Sequence, residues 1–329
     1  MSEQNLTRFV SDEGFDDAVL PFAVEALDVR GRVVRLGDSI DRALSRHNYP
    51  TPVARLVGEA AALTVLLGSS LKFSGRFQFQ SRTDGAVDMI VVDFDAPDRM
   101  RAFARFDADR LAADVAAGRA APKDLIGTGT LAFTIDQGTD ASRYQGVVAL
   151  DGQGLEEAAH QYFQQSEQIP TLVRLATAES FVAGAQSWRA GGILVQFLPS
   201  STDRQRQADL HPGDAPSGSE ILQHDDDDAW SEAKALTATV EDHELVDPML
   251  SSERLLYRLF HERGVKVFET QGVHHTCRCS TDKIAAMLGR FTRDERRDMV
   301  GENGRIGVTC EFCSELREFD PLDFDPAES

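Results

Sequence analysis

All four cysteines of this 329-residue chain fall within its last 53 positions, in two tight pairs. Cys277 and Cys279 stand in HHTCRCS, and Cys310 and Cys313 in CEFC. No other feature narrows the possible folds of the tail so much. Thiols one or two residues apart can reach a single ion, and zinc takes four ligands in a tetrahedron, often all thiolate in structural sites. Thirty residues separate Cys279 from Cys310. A strand–helix–helix–strand unit over that length can bring the two pairs together. The tail, 265–329, is too short to build much core unaided, and a metal staple is the expected remedy. One Zn2+ on Cys277, Cys279, Cys310 and Cys313 is therefore the expected site. Permanent disulfides and mixed ligation by His274 or His275 remain open, whereas four unrelated buried thiols fit the regular pairing worst. Four thiolates already complete a tetrahedron, which leaves the two histidines beside the site or on the surface.

Zinc-bound sulfurs held so close are also close to forming a disulfide. An oxidant that takes electrons from them removes the ligands and with them the metal. Folding of a domain this small is linked to metal binding, so loss of the ion should unfold it. Such a site can sense oxidation, although spacing alone does not make it a sensor. Cysteines in pairs fit a reducing compartment, where structural disulfides are rare and thiol pairs serve metal or redox chemistry. The first residues, MSEQNLTRFVSDEGFDD, have neither a basic n-region nor an apolar h-region, which suggests a cytoplasmic protein. The longest apolar run, VARLVGEAAALTVLLGSSL, contains Arg55 and Glu59 and reads as a buried helix rather than a membrane span. A net charge of −20 and a pI near 4.8 argue against nucleic acid or an anionic membrane as partner.

Ahead of the tail the chain divides in two. Residues 1–199 read as mixed α and β. ALDVRGRVVRL suggests a hairpin turning at Arg30-Gly31, and Pro52 opens a helix through Leu71. RFQFQSRT alternates with Phe77 and Phe79 on one face, VDMIVVDF suits a central strand, and RAFARF, TLAFTI and YQGVVAL follow. These candidates come in succession rather than alternating with helices, which favours antiparallel pairing. LEEAAHQYFQQSEQ reads as a helix, with Glu167 as a hydrogen-bonding group at its end, and GGILVQFLP as a closing strand. From Ser200 to Leu250, 13 acidic residues face 3 basic ones. As far as about residue 228, through the run Asp225 to Asp228, this stretch cannot bury enough apolar surface to offset its ordering entropy. It reads as a disordered acidic spacer. Trp230, Ala233, Leu236 and Val240 then recur at helical spacing, in a marginal helix that needs a partner surface. SSERLLYRLFHERG brings a Ser cap, an apolar face of Leu255, Leu256, Leu259 and Phe260, and a stop at Gly264. TRDERRDMV opens with a Thr292/Glu295 capping box.

The expected fold class is thus α+β in three parts. Residues 1–199 form a mixed domain of largely antiparallel sheets with packed helices, 200–264 a partly disordered, then helical acidic linker, and 265–329 a small zinc-binding redox domain.

These residues resemble the redox-regulated heat-shock chaperone family of 33 kDa, holdases of the bacterial cytosol. The C-x-C and C-x-x-C pairs behind a linker carry the likeness. So do YFQQSEQIPT (162–171), GGILVQFLP, RLLYRLFHERGVKVFE, TGTLAFTID and YQGVVAL. Residues 201 to about 228 are longer and more acidic than the family pattern. The resemblance implies a protein that is zinc-bound and inactive when reduced. Oxidation would form the disulfides Cys277–Cys279 and Cys310–Cys313, release zinc, and unfold the zinc domain and linker. The oxidised form would be a homodimer that binds unfolding client proteins without ATP, and no catalytic residue is implied.

Two other classes compete. A zinc-ribbon nucleic-acid binder could use Arg278, Lys283, Arg290, Arg293, Arg296, Arg297 and Arg305, but acidic residues surround them and the net charge opposes it. A thiol–disulfide oxidoreductase would use Cys310 and Cys313, but no thioredoxin-like βαβ pattern surrounds them. A zinc hydrolase needs an open coordination position, which four thiolates do not leave.

Overall fold

The helix Thr51–Gly68 is apolar almost all round: from Val53 onward only Arg55 and Glu59 escape burial. A helix with no polar face must be enclosed, and in the computed structural model two sheets enclose it. The structure describes residues 16–70, 75–138, 143–182, 185–198 and 227–324. The acidic stretch expected to be disordered thus lies, through residue 226, outside the described residues, as do residues 1–15.

The body contains β1 (Ala18–Val24), β2 (Val29–Leu36), β3 (Arg76–Thr83), β4 (Val87–Asp95), β5 (Arg99–Phe106), β6 (Thr128–Asp136), β7 (Tyr144–Asp151), β8 (Thr171–Val182) and β9 (Ala185–Phe197). The tail adds β10 (Lys266–Val267), β11 (Gln271–Gly272), β12 (His274–His275), β13 (Ile306–Thr309) and β14 (Leu316–Phe319). One sheet runs β10-β1-β2-β9-β8, with β11 also on β1, and is antiparallel throughout. The other runs β12-β5-β4-β3-β6-β7. Its only parallel pair among the described residues is β12 on β5. The fold is α+β, with the antiparallel pairing the sequence suggested.

Helix Thr51–Gly68 packs on β8 and β9 of the first sheet and on β3, β4 and β5 of the second. Phe77, Phe79, Phe94 and Phe133 from the second sheet meet Leu56, Leu63 and Leu66 in that layer. Phe77 and Phe79 are buried as their alternation required. Tyr162 closes one end, edge-on to Phe133 at 4.7 Å, and its hydroxyl donates to Glu167 Oε1 at 2.8 Å. Glu167 is thus the helix-end hydrogen-bonding group expected.

The hairpin expected at Arg30-Gly31 turns earlier. Glu25–Leu27 form a 3-10 turn, and Asp28 takes a left-handed conformation at φ 51°. Gly31 lies inside β2, where a Cβ would run into the Phe22 ring and the Leu194 carbonyl oxygen. Its glycine serves close packing across strands rather than a turn.

The outer face of the first sheet carries Leu20, Phe22, Val24, Val29, Val33, Ile193 and Val195. Three linker helices cover it: Asp228–Ala238, Asp242–Val246 and Ser252–Phe260. Trp230, Ala233, Leu245, Leu255, Leu256, Leu259 and Phe260 supply the apolar side. Trp230 stacks on Phe197 at 5.9 Å, and Phe260 on Phe22 at 5.8 Å. The marginal helix has found its partner surface. Ser251 caps the last helix by accepting from Arg254 N, and Gly264 ends the turn after it at φ 75°. Two guanidiniums fix the short middle helix by its carboxyl end. Buried Arg35 donates to the carbonyls of Asp247 (2.9 Å) and Glu244 (2.6 Å). Arg189 donates to Val246 O (2.6 Å) and is paired with Asp16. Such carbonyls lack partners within the helix and carry its negative dipole end, so cations there satisfy both needs.

Candidate metal centre

Past Gly264 the chain stitches itself to both sheets. β10 and β11 pair with β1, Val273 N donates to Asp17 O (2.7 Å), and β12 then lies along β5. Thr276 N donates to Met100 O at 2.9 Å, so the first cysteine loop leaves directly from the edge of the second sheet. Ser280 then caps the helix Thr281–Leu288, and Thr292 with Glu295 forms the expected capping box on Arg293–Asp298. Strands β13 and β14 make a hairpin whose tip is the second cysteine loop. Cys310 N donates to Glu315 O (3.1 Å), Ser314 N donates to Cys310 O (2.8 Å), and Ser314 turns the chain at φ 53°. The tail's own core consists of Leu288, Ile306 and Phe319, with a few half-buried neighbours.

This frame brings the four sulfurs together. Cys277 Sγ lies 3.7 Å from Cys310 Sγ, and Cys279 Sγ 3.4 Å from Cys313 Sγ. All four fall within 4.8 Å of one another. Zinc–sulfur bonds of about 2.3 Å in a tetrahedron put sulfurs about 3.8 Å apart, so the arrangement fits one ion. No histidine or carboxylate joins the group among the described residues. His274 is exposed on β12. His275 is half-buried, and burial, then Arg46, His47 and Arg42, pushes its imidazole down to about 4. Neither has its ring in the sulfur cluster, so mixed ligation finds no support.

The electrostatics point the same way. Burial pushes the Cys313 thiol up to about 12 and raises that of Cys277. Burial also raises Cys279, but hydrogen bonds from Cys277, Cys313 and Arg317 outweigh it and bring that thiol down to about 7. Arg317 Nη1 donates to Cys279 Sγ at 3.2 Å. Like charges this close resist ionising together. A cation at the centre is what would let all four be thiolates.

Each loop also presents its intervening residues to the second sheet. Arg278, between the first two cysteines, donates to Asp93 (2.5 Å) and Asp95 (3.4 Å) on β4. Phe312, between the second two, lies over the Arg101 guanidinium at 3.7 Å and beside Phe103 at 6.0 Å. His47 Nε2 is 3.3 Å from Phe312 O, and Ser314 Oγ is 2.9 Å from His47 Nδ1. Donation by Nε2 to the carbonyl and by the hydroxyl to Nδ1 describes a neutral imidazole, in line with burial lowering its pKa. Arg278, counted above among residues that could face nucleic acid, is thus engaged within the chain. Asp93, Arg101, His47 and Arg317 carried no local signal in the sequence, because their partners are distant along the chain.

Known proteins agree with this architecture. The family model described as Hsp33 protein matches residues 17–320. A 33 kDa chaperonin of Caulobacter vibrioides is 44% identical over 319 residues, covering 96% of this chain and 99% of its own length. One from Pseudomonas fluorescens is 34% identical, over 92% of this chain and 90% of its own. The crystal structure of the 33 kDa chaperonin homologue from Thermotoga maritima superposes with a TM-score of 0.71 at 18% identity, covering 94% of this chain and 96% of that one. With a family match over residues 17–320, and relatives this similar over nearly their full length, the chain belongs to the Hsp33 family.

Proposed function

We propose that the chain is an ATP-independent holdase, switched on by oxidation, which binds unfolding proteins and prevents their aggregation. The reading treats 1–199 as the chaperone domain, 200–264 as a releasable linker and 265–329 as the redox domain. Cys277, Cys279, Cys310 and Cys313 would hold one Zn2+ in the reduced protein. Bound there, the ion would keep the sulfurs as thiolates and staple the tail. A peroxide would take two electrons from each cysteine pair. Two sulfur–sulfur bonds form, two peroxides and four protons become four waters, and the ligand set is gone. The resemblance pairs Cys277 with Cys279 and Cys310 with Cys313. All four sulfurs are mutually close, so mapping by mass spectrometry must establish the pairing.

The observation that carries the reading is the covered sheet face. Linker helices whose apolar side chains have no other home lie on Leu20, Phe22, Val24, Ile193 and Val195. A tail whose own apolar cluster is Leu288, Ile306 and Phe319 follows them directly. Without metal that tail has too little core to stay folded. Loss of the tail frees the linker, and marginal helices do not persist alone. The uncovered apolar surface would hold clients and support a homodimer. The charge of −20 would keep complexes soluble in the cytoplasm, and neither nucleic acid nor membrane is a partner in this reading. The second cysteine pair sits on a hairpin tip, outside any strand–helix redox motif, which supports a switch consumed once over an enzyme that turns over.

The test is light scattering of a heat-unfolding client with reduced protein, peroxide-treated protein and a Cys277→Ser/Cys279→Ser variant. Protection is expected from the oxidised protein alone among the two wild-type states. Equal protection by both would refute the switch.

A further inference from the structure

Asp93 is a carboxylate with no solvent exposure in the middle of a sheet. It stands in register between Gln78 and Arg101. Gln78 Nε2 donates to one oxygen at 2.8 Å. Arg101 donates to the other through Nε (2.8 Å) and Nη2 (2.6 Å). Arg278 reaches the same oxygen at 2.5 Å from a loop 185 residues away. Asp95 receives the second nitrogen of Arg278 and is itself paired with Arg76 at 3.1 Å. Arg101 has a second role: its far face carries the Phe312 ring. One ion pair of the body, Asp93–Arg101, therefore grips the C-x-C loop through its carboxylate and the C-x-x-C loop through its guanidinium.

We propose that Asp93 and Arg101 are positioning residues for the metal centre. They hold Arg278 and Phe312, and with them the two loops, at the separation where four sulfurs converge. The inference rests on the metal reading above and deepens it. The coupling runs both ways. Arg278 sits between two sulfur donors and Phe312 lies between the other two, so any change in how the sulfurs are bonded is transmitted to both side chains. The body is built to survive their departure. When Arg278 leaves, Asp93 keeps Arg101 and Gln78, so no buried carboxylate is stranded. Undocking of the tail is therefore separable from unfolding of the sheet. The charges also suit the site: four thiolates around one Zn2+ would carry a net −2, and the Arg317 guanidinium donates to one of them, Cys279 Sγ.

The experiment follows Zn2+ transfer from the reduced full-length protein to a chromogenic chelator, without oxidant. Proteolysis of 266–319 is followed alongside, and thermal unfolding of the body serves as the fold control. Arg278→Ala should speed transfer about tenfold, the effect of losing one charge-assisted contact, while the body melts as in wild type. Arg278→Lys, which keeps the charge, should recover part of the loss. Asp93→Asn should act in the same direction, and the Asp93→Asn/Arg278→Ala pair should be no faster than the faster single variant. Arg290→Ala, which removes a tail cation elsewhere, should leave the rate unchanged. If Asp93→Asn does not fold, the Arg278 and Phe312→Leu variants decide. Wild-type rates in both, with Zn2+ bound and the body intact, overturn the positioning role while leaving the metal centre standing. Additive effects of Asp93→Asn and Arg278→Ala also overturn it. A wild-type protein that binds no Zn2+ overturns the metal centre and this inference with it.

Discussion

The body and the tail of this chain solve the same problem with opposite means. In the body, two sheets close on one largely apolar helix, and dozens of side chains share a continuous core. In the tail, Leu288, Ile306 and Phe319 form the small buried apolar cluster that is separate from the body's core. Convergent thiols, edge strands and a charge contact do the rest. The linker lies between these extremes: its helices are amphipathic and capped, but their core is borrowed from the sheet. A region with its own core keeps its shape when its surroundings change. A region held by ligation and docking keeps its shape only while those conditions last, which is what a switch needs.

The contrast would be broken most severely by denying the four thiols the metal proposed for them. Chelation, or Cys310→Ser, should unfold 281–319 outright, since structural zinc sites supply about 10–16 kcal/mol of folding free energy. The body should keep its circular dichroism and its thermal transition. Hydrogen exchange resolved by peptide would show it, and protection persisting throughout the tail would count against a metal-dependent fold.

A smaller effect is expected from the borrowed core. Phe260 is fully buried against Phe22, and Phe260→Ala should cost about 3–5 kcal/mol of linker docking. The reduced variant should then be cut by protease between 228 and 264 and should suppress client aggregation without peroxide. Intact linker and no activity would mean that the tail alone holds the face closed.

The last effect is confined to the body and depends on pH. Burial, then the nearby carboxylates of Glu156, Asp242 and Glu157, pushes Glu59 up to about 8, with Arg55 opposing. A carboxyl that binds its proton more tightly folded than unfolded makes stability fall as pH rises, here between about 4.5 and about 8. Glu59→Gln should therefore leave unfolding at pH 5 nearly unchanged. It should stabilise the protein at pH 8, by an amount bounded by the ~4 kcal/mol that the full shift would carry. A gain of equal size at pH 5 would point to packing instead of ionisation. Because Asp242 opens a linker helix, the same titration bears on how firmly the linker sits.

Much of this was legible in the sequence because it is written locally. Alternation placed Phe77 and Phe79, hydroxyl caps placed Ser251 and Thr292, and the thiol spacing placed the candidate metal ligands. What was missed is non-local. The strand β8, TLVRLATAESFV, mixes polar and apolar residues on both sides and shows no clean period. The edge strands β11 and β12 are two residues each, too short for any periodicity. Gly31 looked like a turn because glycine has two uses, and only the Phe22 ring across the strand shows which applies. The Asp93–Arg278 contact joins residues that no window spans.

The pairing of β1 with β10 and β11 has a consequence in time. Ala18, near the start of the chain, waits for Gly272 as its partner, and Phe22 waits for Phe260. Local hairpins can close while the chain is still being made, but contacts between such distant residues come late. Translation at about 5–20 residues per second would leave the outer face of the first sheet bare for seconds after Phe197 has joined it. Every newly made molecule thus passes through a form whose sticky face is open before its own C-terminal third arrives to close it.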